Sequence, residues 1–215
     1  MTKIERGEDA QSPFLLAQKR LVYEHKPTFR YLRRLMGVSN TVGYGMLPEI
    51  NDQYNSFAAL VFLRRFREHY YLPSGRDVAF HPHYQELLMR PRRVARNQHA
   101  SVLTLALPRK QSHQDQQDYF LRFFNSQVAA GVFGHELGHH LLHNHRLDVS
   151  TRVSLVKLAT SPMLEAEIWE EIAVNQIAKN YGLGQVIQKA VLFCRDFPGA
   201  NREYYDLILD QLKYS

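Results

Sequence analysis

The run VAAGVFGHELGHHLLHNH, residues 128–145, contains His135-Glu136-Leu137-Gly138-His139, an H-E-x-x-H pattern. On a helix, positions 135 and 139 lie one turn apart on one face, so both imidazoles can reach a single metal ion. Glu136 projects about 100° away around the axis, close enough to take a proton from a water at that ion without ligating it. The chemistry this spacing suits is hydrolysis by an activated water, with Glu136 as general base. With His135 as angular reference, Val128, Val132, His139 and Leu142 fall within about 60° of it. The two imidazoles therefore share an apolar face, where polar groups need partners and a metal would serve both. His140 points away from the pair and is expected at the surface or behind the ligands.

A catalytic zinc takes three protein ligands and keeps an open position. Two sources for the third are available. His145 gives H-E-x-x-H-x-x-x-x-x-H, a metzincin-like spacing. The metzincin pattern, however, has a glycine that turns the chain back, and this chain has Leu142 there. The other source is the later helix LEAEIWEEIAVNQIAKNYGL, residues 164–183. Glu171 shares a face with Leu164, Ile168, Asn175 and Ala178, which turns it inward, and a buried carboxylate needs a compensating charge. Glu167, one turn earlier, is the reserve ligand. Glu165 and Glu170 read as solvated. Asn175, one turn after Glu171, is placed to orient a ligating histidine from behind. The ion expected is one catalytic Zn²⁺, although a His₂Glu set accepts other divalent ions.

The stretch FGHELGHHLLH, followed by Glu171, Asn175 and Ala178 as E-x-x-x-N-x-x-A, resembles the ImmA/IrrE family of gluzincin-type metallopeptidases across about residues 100–182. The family's usual E-A-N-x-F-A reads here Ala173-Val174-Asn175-Gln176-Ile177-Ala178. The resemblance implies a zincin-like core and a zinc endopeptidase with His135, His139 and Glu171 as ligands. It also implies a narrow cytoplasmic protein substrate, such as a DNA-binding regulator. A non-proteolytic zinc-containing module that binds protein or DNA, and a zinc hydrolase acting on other bonds, stand as alternatives.

The elements that must position these residues follow from pattern. A long helix is expected over about 116–145, interrupted in composition by Gly131, Gly134 and Gly138. These glycines permit close approach of a strand or a substrate backbone, or else simple tight packing. Ser161-Pro162 starts a helix that runs to about Tyr181 and stops at Gly182. Residues 101–107, SVLTLAL, read as a strand. The pattern of 51–70 reads as a helix with Phe57, Leu60, Val61 and Phe66 as its apolar stripe. Residues 13–36 read as one or two helices broken at Pro27, 39–50 as a loop, and 82–89 and 151–159 as short helices. Two more helices, about 184–194 and 200–213, close the chain. The fold class expected is α+β, predominantly helical, with a small sheet packed on the H-E-x-x-H helix. Residues 1–95 would form a mostly helical N-terminal region, separate from or integral to a catalytic core at 96–215.

At 215 residues and 45% hydrophobic, the chain can bury a full core. The single cysteine, Cys194, excludes an intramolecular disulfide and a cysteine-rich zinc finger, and sits in an apolar stretch. The polar N-terminus lacks the apolar core of a signal peptide and no run is long enough to span a bilayer, so the cytoplasm is expected. The net charge of +6 comes from arginine-rich segments ahead of the motif, RYLRR, LRRFR and RPRRVAR. These can attract nucleic acid or an acidic protein, but no nucleic-acid module signature accompanies them.

Overall fold

The computed structural model describes residues 13–39, 42–45, 58–63, 69–71, 77–79, 100–107, 114–143 and 166–214. Those residues are predominantly helical and carry one five-stranded sheet. Helix α1 runs Pro13–Leu35 without a break at Pro27. Proline removes the hydrogen bond to the carbonyl of Tyr23. Both residues are exposed, so water can satisfy that carbonyl. The opposite stripe, Gln18, Leu21, His25, Phe29, Leu32 and Met36, is buried at helical spacing and keeps α1 one continuous helix. Gly37, at φ +70°, closes the helix.

The sheet order is β1 (Val42–Gly45), β5 (Ala100–Leu105), β2 (Ala58–Leu63), β3 (His69–Tyr71), β4 (Asp77–Ala79). β1 lies parallel to β5, and the other neighbours are antiparallel. Two expectations fail here. The loop expected over 39–50 contains β1, and the helix expected over 51–70 contains β2 and part of β3. A short apolar run such as AALVFL fits either a buried helix or a buried strand, and six residues of pairing from Ala58↔Leu105 to Leu63↔Ala100 decide for the strand. The sheet joins strands from both sides of residue 95. β5 is an interior strand paired on both sides, with Leu103, Thr104 and Leu105 fully buried. Gln18 of α1 secures the end of β5, donating to Leu105 O at 2.8 Å and accepting from Leu107 N at 2.6 Å.

The helix expected over 116–145 is two helices, α2 (Gln114–Phe123) and α3 (Ser126–His143). Asn125 separates them. Its Oδ1 accepts from the backbone N–H groups of Gln127 at 3.0 Å and Val128 at 3.1 Å, a helix N-cap. α4 (Ala166–Ala178) passes through a wide, π-type turn at 179–183 into α5 (Gly184–Asp196), and α6 (Arg202–Tyr214) follows. Gly182, at φ +80°, makes the reversal that the sequence marks as a helix stop.

α3 is the central helix. It contacts α1, α4, α5 and strands β2 and β5, and it buries Ala129, Phe133, Leu137 and Leu141. Phe133 meets Phe29 and Tyr44 edge-on, at 6.2 and 5.5 Å, which ties α1 and β1 to the same core. The segments at 82–89, 144–165 and 51–57 lie outside the described residues, so the helices expected at 82–89 and 151–159 do too. Among the described residues, no helix is long and apolar enough to cross a membrane.

Candidate metal centre

The site begins with how closely α3 and α4 approach. A Cβ on Gly138 would stand 2.7 Å from Val174 O and 3.1 Å from Val174 Cβ. Any side chain there would push α4 away at the level of His139. A Cβ on Gly131 would collide with Val186 O and Ala190 Cβ of α5, and one on Gly134 would meet Leu183 Cδ1 at 2.9 Å. The three glycines therefore admit neighbouring helices, not a strand or a substrate backbone. Tight packing is their role, and at Gly138 that packing builds the site.

His135 and His139 project from α3 with their rings nearly perpendicular at 82° and their Nε2 atoms 3.2 Å apart. From α4, Glu171 Oε2 reaches His135 Nε2 at 3.1 Å and Oε1 reaches His139 Nε2 at 3.6 Å. The three residues offer ligand atoms all within 4.8 Å of one another. Behind the rings, His135 Nδ1 meets Asn175 Oδ1 at 2.8 Å and His139 Nδ1 meets Glu170 Oε1 at 3.0 Å. Both partners are acceptors, so each Nδ1 carries the hydrogen and donates it. The Nε2 atoms are thereby left as the ring positions that face each other and Glu171, the atoms available to a metal.

Three electron-pair donors facing one point repel unless a cation lies between them. Their spacing suits one. In a tetrahedral site with bonds of about 2.0–2.1 Å, donors sit roughly 3.3–3.4 Å apart, close to the 3.1, 3.2 and 3.6 Å found. Two imidazole nitrogens and a carboxylate also match the donor types divalent zinc accepts. The residues present therefore fit a metal ion.

Without a metal, a proton takes that place. Burial opposes the charged form of His135, but the charge and hydrogen bond of Glu171, with Glu136 and Asn175 adding to them, outweigh it and raise its pKa to about 9. Burial likewise pushes Glu171 up, and His135 and His139 more than reverse this, leaving it below its usual range. The side chain of His139 is 6% exposed, that of His135 20% and that of Glu171 30%. The centre is closed behind and reached from the His135–Glu171 side, as an open coordination position requires.

Glu136 is half-buried, and its charge acts on both His135 and Cys194. Two expectations need correction. Glu170 is not a solvated acid, since it is the acceptor behind His139. His140 is 1% exposed, not at the surface, and its Nδ1 lies 2.8 Å from Ser101 Oγ, joining α3 to β5. Both signals were present in the residue types but needed a partner element to be read. Glu167 lies within α4 with its side chain outside the described residues, and His145 and Glu165 fall outside them entirely.

Two further groups lie near the centre; the sequence marks Cys194 as one member of an apolar stretch and gives no role to Tyr205. Burial, with the charges of Glu171 and Glu136, pushes the Cys194 thiol of α5 up to about 12. Burial, with Cys194 and Glu171, raises Tyr205 of α6. Tyr205 belongs to the inward stripe of α6 with Ile208, Leu209 and Leu212, a spacing that could have drawn attention to it. Comparison with protein-family models, with curated proteins and with solved structures returned no match to this chain.

Proposed function

We propose that this chain is a zinc-dependent endopeptidase in which His135, His139 and Glu171 hold the ion and Glu136 is the general base. The observation that carries the reading is the convergence of His135, His139 and Glu171 on one point, each histidine held from behind, with a second acid, Glu136, next to His135. A purely structural zinc would need neither Glu136 nor an approach from solvent.

The ion, when bound, supplies a Lewis acid that polarises the scissile carbonyl and activates water. Glu136 takes the proton of the attacking water and delivers it to the leaving amine. Asn175 and Glu170 keep the Nδ1 hydrogens on the outer side of both rings, so that each Nε2 stays an electron-pair donor. The partly exposed side chains of Glu171 and His135, 30% and 20%, mark the side from which a peptide would approach.

The resemblance to ImmA/IrrE peptidases supplies the substrate class in this proposal, a cytoplasmic regulatory protein cut at few positions. The zincin-like reading of the core rests on the same resemblance, together with the sheet packed against α3. The test is Glu136→Gln, measured by metal content and by cleavage of a peptide library. We expect one zinc per chain in both proteins, cleavage by the parent, and a loss of about 10²–10⁴-fold in the variant. Full activity in the variant, or a parent that takes up no metal, sinks the assignment.

A further inference from the structure

Helix α1 has a second face that the metal centre does not use. Residues 13–35 contain six Lys and Arg against Glu24 as the single acid, a local net charge of +5 (6 − 1). At 100° per residue, Lys19, Arg20, Lys26, Arg30 and Arg34 all fall within about 60° of Tyr23, and Tyr31 about 80° away. Glu24 lies beyond the margin of that strip, about 100° from Tyr23. The strip is the side opposite the buried stripe that packs on α3. Tyr23 is 76% exposed and Tyr31 64%. Lys26 Nζ sits 5.6 Å from the centre of the Tyr23 ring, and Lys19, Arg20, Tyr23 and Glu24 line a shallow depression.

We propose that this outward face of α1 binds single-stranded nucleic acid, with the five cations taking backbone phosphates and Tyr23 and Tyr31 stacking on bases. Three features select this partner. Among the residues of α1 the strip carries five cations with one carboxylate, Glu24, at its edge, which gives charge complementarity to a polyanion. Three of its five cations are arginines, whose planar forks suit phosphate oxygens. Two exposed phenol rings accompany the cations, Tyr23 within the strip with Lys26 against its ring and Tyr31 at the margin, and a base has a planar face to lay on an exposed ring, whereas an acidic peptide uses only the charge. From Lys19 to Arg34 the strip is about 22 Å long at 1.5 Å per residue, enough for several nucleotides. The proposal stands independently of the metal centre.

The test uses the full chain with fluorescently labelled oligothymidylate and oligouridylate, read by anisotropy over a salt series. Five phosphate contacts predict a slope of log K against log salt of about −3.5. The double variant Arg30→Ala/Arg34→Ala should reduce that slope by about 1.4. Tyr23→Ala should weaken binding about 5- to 150-fold at unchanged slope. All three residues are exposed, and coincident thermal melts confirm that the variants fold. The two oligonucleotides distinguish DNA from RNA, and binding of either supports the proposal. Absence of binding to both at low ionic strength overturns it. So does equal competition by polyglutamate with no effect of Tyr23→Ala, which would assign the strip to an acidic protein surface.

Discussion

At the scale of the residue, the centre is governed by where three hydrogens sit. Asn175 and Glu170 fix two of them on the outer nitrogens of the histidines. Removing either acceptor frees a ring to turn or to change tautomer, so Asn175→Ala and Glu170→Ala should each weaken zinc binding about 10- to 100-fold. Competition with a chelator of known affinity measures this. The third hydrogen is the proton that His135 holds up to about pH 9 beside Glu171. A metal must displace it. At pH 7, zinc binding should therefore release close to one proton per ion, measurable by calorimetry in buffers of different ionisation enthalpy. Affinity should rise with pH until that proton is gone. An ion that binds with no proton release would mean His135 is not a ligand.

At the scale of the element, the site depends on two helices touching without a side chain between them. Alanine is worth about 1 kcal/mol over glycine in a helix interior, yet at Gly138 its Cβ would be 2.7 Å from a backbone oxygen that cannot swing aside. Overpacking of this kind costs about 1–3 kcal/mol, and the strain falls on α4, which carries Glu170, Glu171 and Asn175. Gly138→Ala should therefore lower both stability and metal affinity. Gly134→Ala meets only the end of the Leu183 side chain, at 2.9 Å, which can move, and should leave metal affinity near the parent's. Denaturant melts and zinc titrations of the two variants separate these outcomes. Equal losses of metal affinity would show that the α3–α4 contact at Gly138 does not set the site.

At the scale of the whole molecule, folding must bring together three donors that repel one another unless a cation joins them. The raised pKa of His135 contributes stability to the metal-free protein that is fully present below its ordinary 6.5 and lost as pH rises through about 9. The lowered Glu171 contributes stability present above its ordinary 4.5 and lost as pH falls through its folded value. This pair alone makes the metal-free protein most stable between those two limits. Zinc at 100-fold its dissociation constant should add about 2.7 kcal/mol, or roughly 5–11 °C in Tm for a domain of this size. Its effect should grow from pH 6 toward pH 9 as the competing proton leaves. Melting curves with and without chelator across that range check both trends.

The sequence by itself determined the periodic features. The spacing of His135 and His139, the inward turn of Glu171 and Asn175, the strand at β5 and the stop at Gly182 all follow from local geometry. Each needs only the chain within a few residues of itself. Tertiary structure alone decided whatever depends on a partner distant in sequence. β2 became a strand because β5 lies beside it, and Pro27 stayed helical because the other face of α1 is buried. Glu170 and His140 acquired definite roles only when α3 and β5 supplied His139 and Ser101. A short apolar run or a single polar residue has several low-energy environments, and only packing selects among them.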